Sequence, residues 1–351
     1  MKTILFKLSL VLAMTFVCFS CDEDNSDTET LSLEYHNLTL SVGETTTLSI
    51  IESPNTSDAI VWSSSDESVA TVFYGKVEAL SSGVSTITVQ MGDYFDTCQI
   101  TVPEQEYQLV WADEFDSTAL NTDYWNIEVN GYGGGNNEEQ YYTARDTNLR
   151  VENGMLVIQT LKESYMGDEY TSARINTKGK KQFTYGKVEV RLKVPAGKGL
   201  WGAFWMLGAN DGWPDGGEID IMEYVGYEPY EFHCALHTAN YNGMNGNNKS
   251  GSQTLTDSVS NDFHVITMEW VKNALNGYDR IYIYVDDVLT RSFSETAQLQ
   301  DSGDWPFNDE FYFIINMAIG GNWGGVQGID DTIFDEPVLY LIDYVRVYQL
   351  Q

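Results

Sequence analysis

Glu218-Ile219-Asp220-Ile221-Met222-Glu223 sets three carboxylates into a six-residue apolar run. Over the first four residues the alternation is that of a β-strand with acids on one face and isoleucines on the other. Unbroken, it would put the third acid at position 222, where methionine stands. A one-residue β-bulge at Met222 returns Glu223 to the face of Glu218 and Asp220, and bulges gather beside active sites. Four pleat steps of ~3.3 Å hold the two glutamate Cα atoms roughly 13 Å apart. Side chains leaning together by ~4 Å each leave about 5 Å between carboxyls. At that separation one carboxylate attacks a sugar while the other donates a proton, with retention of anomeric configuration. A solvated acidic edge strand is the bland alternative. The isoleucines between the acids and the tryptophans at 201, 205 and 213 argue against it.

The same strand-and-turn habit fills the chain of 351 residues, long enough for two domains. From Tyr107 to Gln351 short alternating runs dense in Trp, Tyr and Phe follow one another between glycine-rich turns, with almost no helical periodicity. A stretch of that size reads as one large sandwich of antiparallel sheets. Residues 31–103 read as a separate, smaller β-sandwich, from runs such as Thr47-Leu48-Ser49-Ile50 and Thr86-Ile87-Thr88-Val89. The expected class is therefore all-β.

Nineteen basic residues against 52 acidic ones give a net charge of −33. Such a surface repels nucleic acid and sulfated polysaccharide and favours a neutral substrate. Residues 1–20 read as a secretory signal, with Lys2 and Lys7 before an apolar run, Leu8 to Phe19, too short for a permanent membrane span. Phe19-Ser20-Cys21 resembles the end of bacterial lipoprotein signals, which implies lipidation of Cys21. Residues 21–30 then form a flexible acidic tether, whose Asp22-Glu23-Asp24 resembles a surface-export signal of some Gram-negative bacteria. The expectation is an outer-membrane lipoprotein, exposed at the surface, with a periplasm-facing orientation left open. Cys98 and Cys234 fall in different domains and are expected as buried thiols.

Two resemblances can be named on longer motifs. Trp62-Ser63-Ser64-Ser65-Asp66-Glu67-Ser68-Val69-Ala70-Thr71-Val72, with Gly75-Lys76-Val77, resembles the bacterial immunoglobulin-like group 2 domain. Residues 107–351 resemble family 16 of the glycoside hydrolases, in the laminarinase-like branch that carries the bulge. The motifs are Trp111-Ala112-Asp113-Glu114-Phe115-Asp116, Gly135-Asn136-Asn137-Glu138-Glu139-Gln140-Tyr141-Tyr142-Thr143, Thr171-Ser172-Ala173-Arg174-Ile175, Gly199-Leu200-Trp201-Gly202-Ala203-Phe204-Trp205-Met206, Trp213-Pro214 and Ile342-Asp343-Tyr344-Val345-Arg346-Val347-Tyr348. Gly202 stands where many relatives carry proline. The resemblance implies a concanavalin A-like jelly roll.

It also implies Glu218 as nucleophile, Glu223 as general acid/base and Asp220 as helper. Burial and the charge of Glu218 would raise the pKa of Glu223, as a proton donor near neutrality requires. Substrate contacts are implied for Asn136, Arg174, Trp201, Trp205, Trp213, His237 and Trp323. Catalysis needs no cofactor. Many relatives hold one structural calcium, whose ligands here would be the backbone carbonyls of Glu114 and Gly154 and the side chain of Asp343. The alternative for Asp343 is an ion pair with Arg346 or the capping of a strand. The implied activity is endo-hydrolysis of neutral β-1,3 or mixed β-1,3/1,4 glucan by a monomer. A hydrolase of another neutral polysaccharide such as agar, and a glycan-binding surface lipoprotein without activity, are the competing readings.

Overall fold

The structure, a computed structural model, describes residues 30–275, 277–296 and 303–351, with side chains left out at 273–275. The expected leader, Cys21 and the tether up to residue 29 lie outside these. The chain divides after Gln105 into two units. Among the described residues the regular structure is strand, broken by short 3-10 turns at Gly133–Gly135, Gly243–Asn245 and Asp331–Asp335.

In the first unit a four-stranded sheet orders Asn37–Thr39, Tyr94–Val102, Gly83–Met91 and Ile60–Ser64, and a three-stranded sheet orders Thr45–Thr47, Lys76–Ala79 and Ala70–Phe73. Ser85, Ile87, Val89 and Met91 alternate inward, as the period-2 pattern requires. They close a core with Val77, Ala79, Cys98 and Ile100.

The second unit packs two large sheets face to face. The ten-stranded sheet is organised around the last strand, Val338–Leu350, which pairs with Tyr107–Asp113, Met155–Tyr165 and Gly186–Lys193. The eight-stranded sheet runs Asn126–Ile127, Arg174–Asn176, Phe311–Ile319, Leu200–Gly208, Glu218–Val225, Glu231–His237, Lys249–Thr254, with Gln182–Phe183 also on Phe311–Ile319. Both sheets send apolar side chains into one core, among them Val188, Val190, Ile281 and Ile283 from one and Phe204, Met206, Ile219 and Phe313 from the other. Phe313 is stacked between Trp111 and Phe204, at ring-centroid distances of 6.1 and 5.3 Å. Burying such a ring stabilises the fold by about 1.5–3 kcal/mol. Phe311–Ile319 is buried along its whole length, as a central strand covered on both faces must be. The outward face of this sheet carries the cleft.

Candidate active site

Glu218–Val225 lies between Leu200–Gly208 and Glu231–His237. On the first side Asp220 pairs with Trp205 and Met222 with Phe204, so Ile221 is the extra residue. The bulge therefore begins one position earlier than the expected Met222. On the second side Asp220 pairs with Ala235 and Glu223 with His233, leaving Ile221 and Met222 together against a single residue. The physical reason is packing: Ile221 and Met222 are each only 1 % exposed and both enter the inter-sheet core. With two successive apolar side chains turned inward, Glu223 emerges on the same side as Glu218 and Asp220. Just ahead of the strand, Gly217 has φ +78°, and a Cβ there would stand 2.5 Å from Pro306 Cγ. Only glycine fits that approach to Glu218.

The carboxylates open on a cleft of about 830 Å³. Its lining includes Glu218, Glu223 and all seven expected contact residues: Asn136, Arg174, Trp201, Trp205, Trp213, His237 and Trp323. Asp220, 3 % exposed, sits beneath the two glutamates. Trp201 Nε1 donates to Glu223 Oε1 at 3.1 Å, and Trp213 stands by Glu218 in the cleft lining. His237 Nε2 lies 3.1 Å from Asp220 Oδ2.

Three carboxyls in one enclosed trough cannot all be ionised near neutrality. Burial, then the charge of Glu218, pushes Glu223 up to about 7, with His237 and the Trp201 indole pulling the other way. Burial, then Asp220, also raises Glu218, while His237 and Trp213 favour its ionised form. Asp220 is raised by burial, then by Glu223, and its hydrogen bond with Glu218 opposes the rise. The cleft thus holds an acid that keeps its proton near neutral pH beside a hydrogen-bonded carboxylate pair.

Several supports were invisible to motif reading. Arg174 lies over the Trp205 ring at 4.9 Å and donates through Nε to Glu128 Oε1 at 3.1 Å. Trp205 Nε1 donates to Asn316 Oδ1 at 2.8 Å, Asn316 Nδ2 to the Tyr142 hydroxyl at 3.2 Å, and that hydroxyl to Glu138 Oε2 at 3.0 Å. Glu138 and Tyr142 stand inside a quoted motif, but nothing local tied them to Trp205. His233, opposite Glu223, packs edge-on against Trp323 at 5.0 Å, and its Nε2 is 2.9 Å from Glu228 Oε2. The loops bearing Asn136 and Trp323 are joined by Asn322 N donating to Asn136 O at 2.7 Å.

The expected calcium ligands lie away from the cleft. Asp113 pairs with Val345 and Leu156 with Ile342, which brings Glu114 and Gly154 beside Asp343 on its strand. Two backbone carbonyls and a carboxylate are suitable donors for an ion that takes six to eight oxygens. The Asp343 carboxylate already has a cationic partner, Arg191 Nη1 at 2.5 Å. Arg346, the expected alternative, instead forks onto Glu114 at 2.7 and 2.8 Å.

Comparison with known proteins gives this geometry a family. Residues 136–344 match the model of glycosyl hydrolases family 16, and residues 27–102 match that of the bacterial Ig-like domain, group 2. A β-glucanase of Rhodothermus marinus is 43 % identical over 69 % of this chain and 85 % of its own. The chain belongs to glycosyl hydrolase family 16. Among solved structures, a laminarinase from Flavobacterium sp. UMI-01 is 44 % identical with a TM-score of 0.61, covering 69 % of this chain and all (100 %) of that one. SCLam, a non-specific endo-β-1,3(4)-glucanase, is 43 % identical with a TM-score of 0.64, over 69 % and 91 %. The family's jelly roll is the two-sheet unit described above, and the bulged acidic strand lies inside the matched region.

Proposed function

We propose that the protein is a retaining, endo-acting β-glucanase that cuts internal β-1,3 linkages, or mixed β-1,3/1,4 linkages, in a neutral glucan. The carrying observation is the bulge, which turns Glu223 into the cleft with Glu218 and leaves it protonated up to about pH 7. In the first step the Glu218 carboxylate attacks the anomeric carbon as the glycosidic C–O bond breaks. Glu223 passes its proton to the departing oxygen. The product is a covalent glycosyl ester on Glu218. Esterification removes the Glu218 charge, so Glu223 becomes more acidic and, now ionised, takes a proton from water as the water attacks the same carbon. Two inversions retain the β configuration. Trp201, Trp205, Trp213 and Trp323 offer flat apolar surface to pyranose rings, Asn136 and Arg174 offer hydrogen bonds to hydroxyls, and His237 lines the cleft beside the acids. The names of the relatives, a β-glucanase, a laminarinase and an endo-β-1,3(4)-glucanase, support glucan as substrate.

Azide trapping with an activated aryl β-glycoside tests the two roles separately. In Glu218→Ala, azide enters from the nucleophile's side and gives the α-glycosyl azide. In Glu223→Ala, azide intercepts the ester and gives the β-glycosyl azide. The reverse pair of products would overturn the assignments.

The remaining proposals concern setting. Cys21 as a lipid anchor would hold a monomer on the outer membrane, facing outward, with the immunoglobulin-like unit as a spacer. A calcium ion on Asp343 and the carbonyls of Glu114 and Gly154 would be structural and take no part in catalysis.

A further inference from the structure

The segment after His237 is held unusually tightly for a loop. Asn242 is 3 % exposed and has every polar group of its side chain engaged. Its Nδ2 donates to Thr238 O at 3.0 Å and Ala239 O at 3.1 Å, and its Oδ1 accepts from Asn245 N at 3.1 Å. Its backbone N donates to Asn247 Oδ1 at 3.1 Å, and Thr238 N donates to Tyr241 O at 2.7 Å. Together these bonds set the 3-10 turn Gly243–Asn245 in one place. The first amide of such a turn has no partner within it. Here it is aimed at the histidine of the cleft: Gly243 N donates to His237 Nδ1 at 3.0 Å. A Cβ at Gly243 would stand 3.2 Å from His237 Cε1, so the close approach favours glycine.

A backbone amide can only donate, so Nδ1 must accept, and the ring's proton is confined to Nε2. Nε2 is the atom 3.1 Å from Asp220 Oδ2. That oxygen is buried and has no well-aligned hydrogen bond among the described residues. The N–H assigned to Nε2 stands within reach of it, at 3.1 Å between the heavy atoms. Asp220 is in turn hydrogen-bonded to Glu218. The charged groups facing the imidazole are Glu218, Asp220 and Glu223 of the neighbouring strand. Lys249, on the other flanking strand, is turned onto the Tyr241 ring at 3.9 Å.

We propose that the loop 238–248 is a positioning element of the nucleophile: through the Gly243 amide it selects the Nε2–H form of His237, which holds Asp220 in the state that serves Glu218. With Oδ2 facing the imidazole N–H, the other Asp220 oxygen is left to the hydrogen bond with Glu218 and holds that carboxyl in one orientation. Glu218 then attacks as a carboxylate held in line. Gly243 and Asn242 act through His237 and are positioning residues. The inference rests on Glu218 being the nucleophile, but the tautomer can be read without any turnover.

Ring ¹⁵N resonances of His237 in the wild-type protein decide the tautomer. Nε2 protonated and Nδ1 bare is expected at pH values where the ring is neutral, and a neutral ring protonated on Nδ1 would overturn the proposal. Asn242→Ala, which frees the turn, should mix the tautomers and lower kcat roughly tenfold, the size expected for one hydrogen bond to a charged group, with KM within about twofold. The acidic limb of kcat/KM should move upward by about half a pH unit, because a carboxylate that loses a donor holds its proton more tightly. In His237→Gln the amide reaches the place of Nε2 and has no tautomer to select. Asn242→Ala added to His237→Gln should then cost little more, giving a strongly non-additive cycle. Full additivity, or a folded Asn242→Ala with unchanged kcat and acidic limb, would refute the assignment. Azide products of the alanine variants distinguish this failure from a wrong nucleophile.

Discussion

Replacing Glu223 by glutamine should stabilise the protein at high pH and leave its stability at low pH almost unchanged. Burial and the Glu218 charge lift the Glu223 carboxyl from 4.5 to about 7. Within that window the folded protein keeps a proton that the unfolded chain has lost, so wild-type stability falls as pH rises from about 4.5 to about 7. At 1.36 kcal/mol per pH unit the full effect amounts to about 3 kcal/mol. Glu218 and Asp220 share the repulsion and respond to one another, so about 1–2 kcal/mol is the expected difference between the ends of the window. Glutamine keeps the shape and a donor but cannot ionise. Thermal unfolding of wild type and Glu223→Gln at pH 4.5 and pH 8 reads the effect directly. For a unit of this size each kcal/mol moves Tm by about 2–4 °C, so the variant should gain roughly 2–8 °C over wild type at pH 8 relative to pH 4.5. The basic limb of kcat/KM on an activated aryl glycoside should vanish in the same variant. A Tm difference identical at the two pH values would mean that Glu223 carries no raised pKa, and its role as proton donor near neutrality would lose its physical basis.

Other expectations bear on the support of the site. Asn316→Leu takes the acceptor from the Trp205 indole and one donor from the Tyr142 hydroxyl, which keeps its bond to Glu138, so chemical denaturation should register a loss of about 1–3 kcal/mol and KM should rise severalfold; unchanged KM would show that the Trp205 orientation does not depend on this network. The unit from Glu106 onward has a self-contained core, so expressed alone it should cleave soluble laminarin with kcat/KM within about twofold of the full chain. A large loss would give the first unit a part in catalysis. If calcium sits on Asp343, chelation should lower Tm by several degrees, calcium should restore it, and Asp343→Asn should abolish the response; an unresponsive wild type would leave Asp343 as the Arg191 partner alone.

The features legible from the chain alone lie within short spans. Alternation in Glu218-Ile219-Asp220-Ile221 marks a strand, and the offset acid at 223 demands a bulge, because side-chain facing is set by backbone periodicity. The tryptophans at 201, 205 and 213 lie on or beside the neighbouring strand, so their gathering in the cleft was also legible. Tertiary structure decided the rest. Whether Ile221 or Met222 is the extra residue is a matter of register against Phe204 and Trp205, and pairing partners on another strand are not encoded in the run itself. The Asn316 to Tyr142 bond joins residues 174 positions apart. The Gly243 amide meets His237 only because Asn242 is locked into the loop. Such contacts follow from how the sheets and loops close in space. A buried polar group must find a partner wherever the fold supplies one, and a linear pattern does not say where that will be.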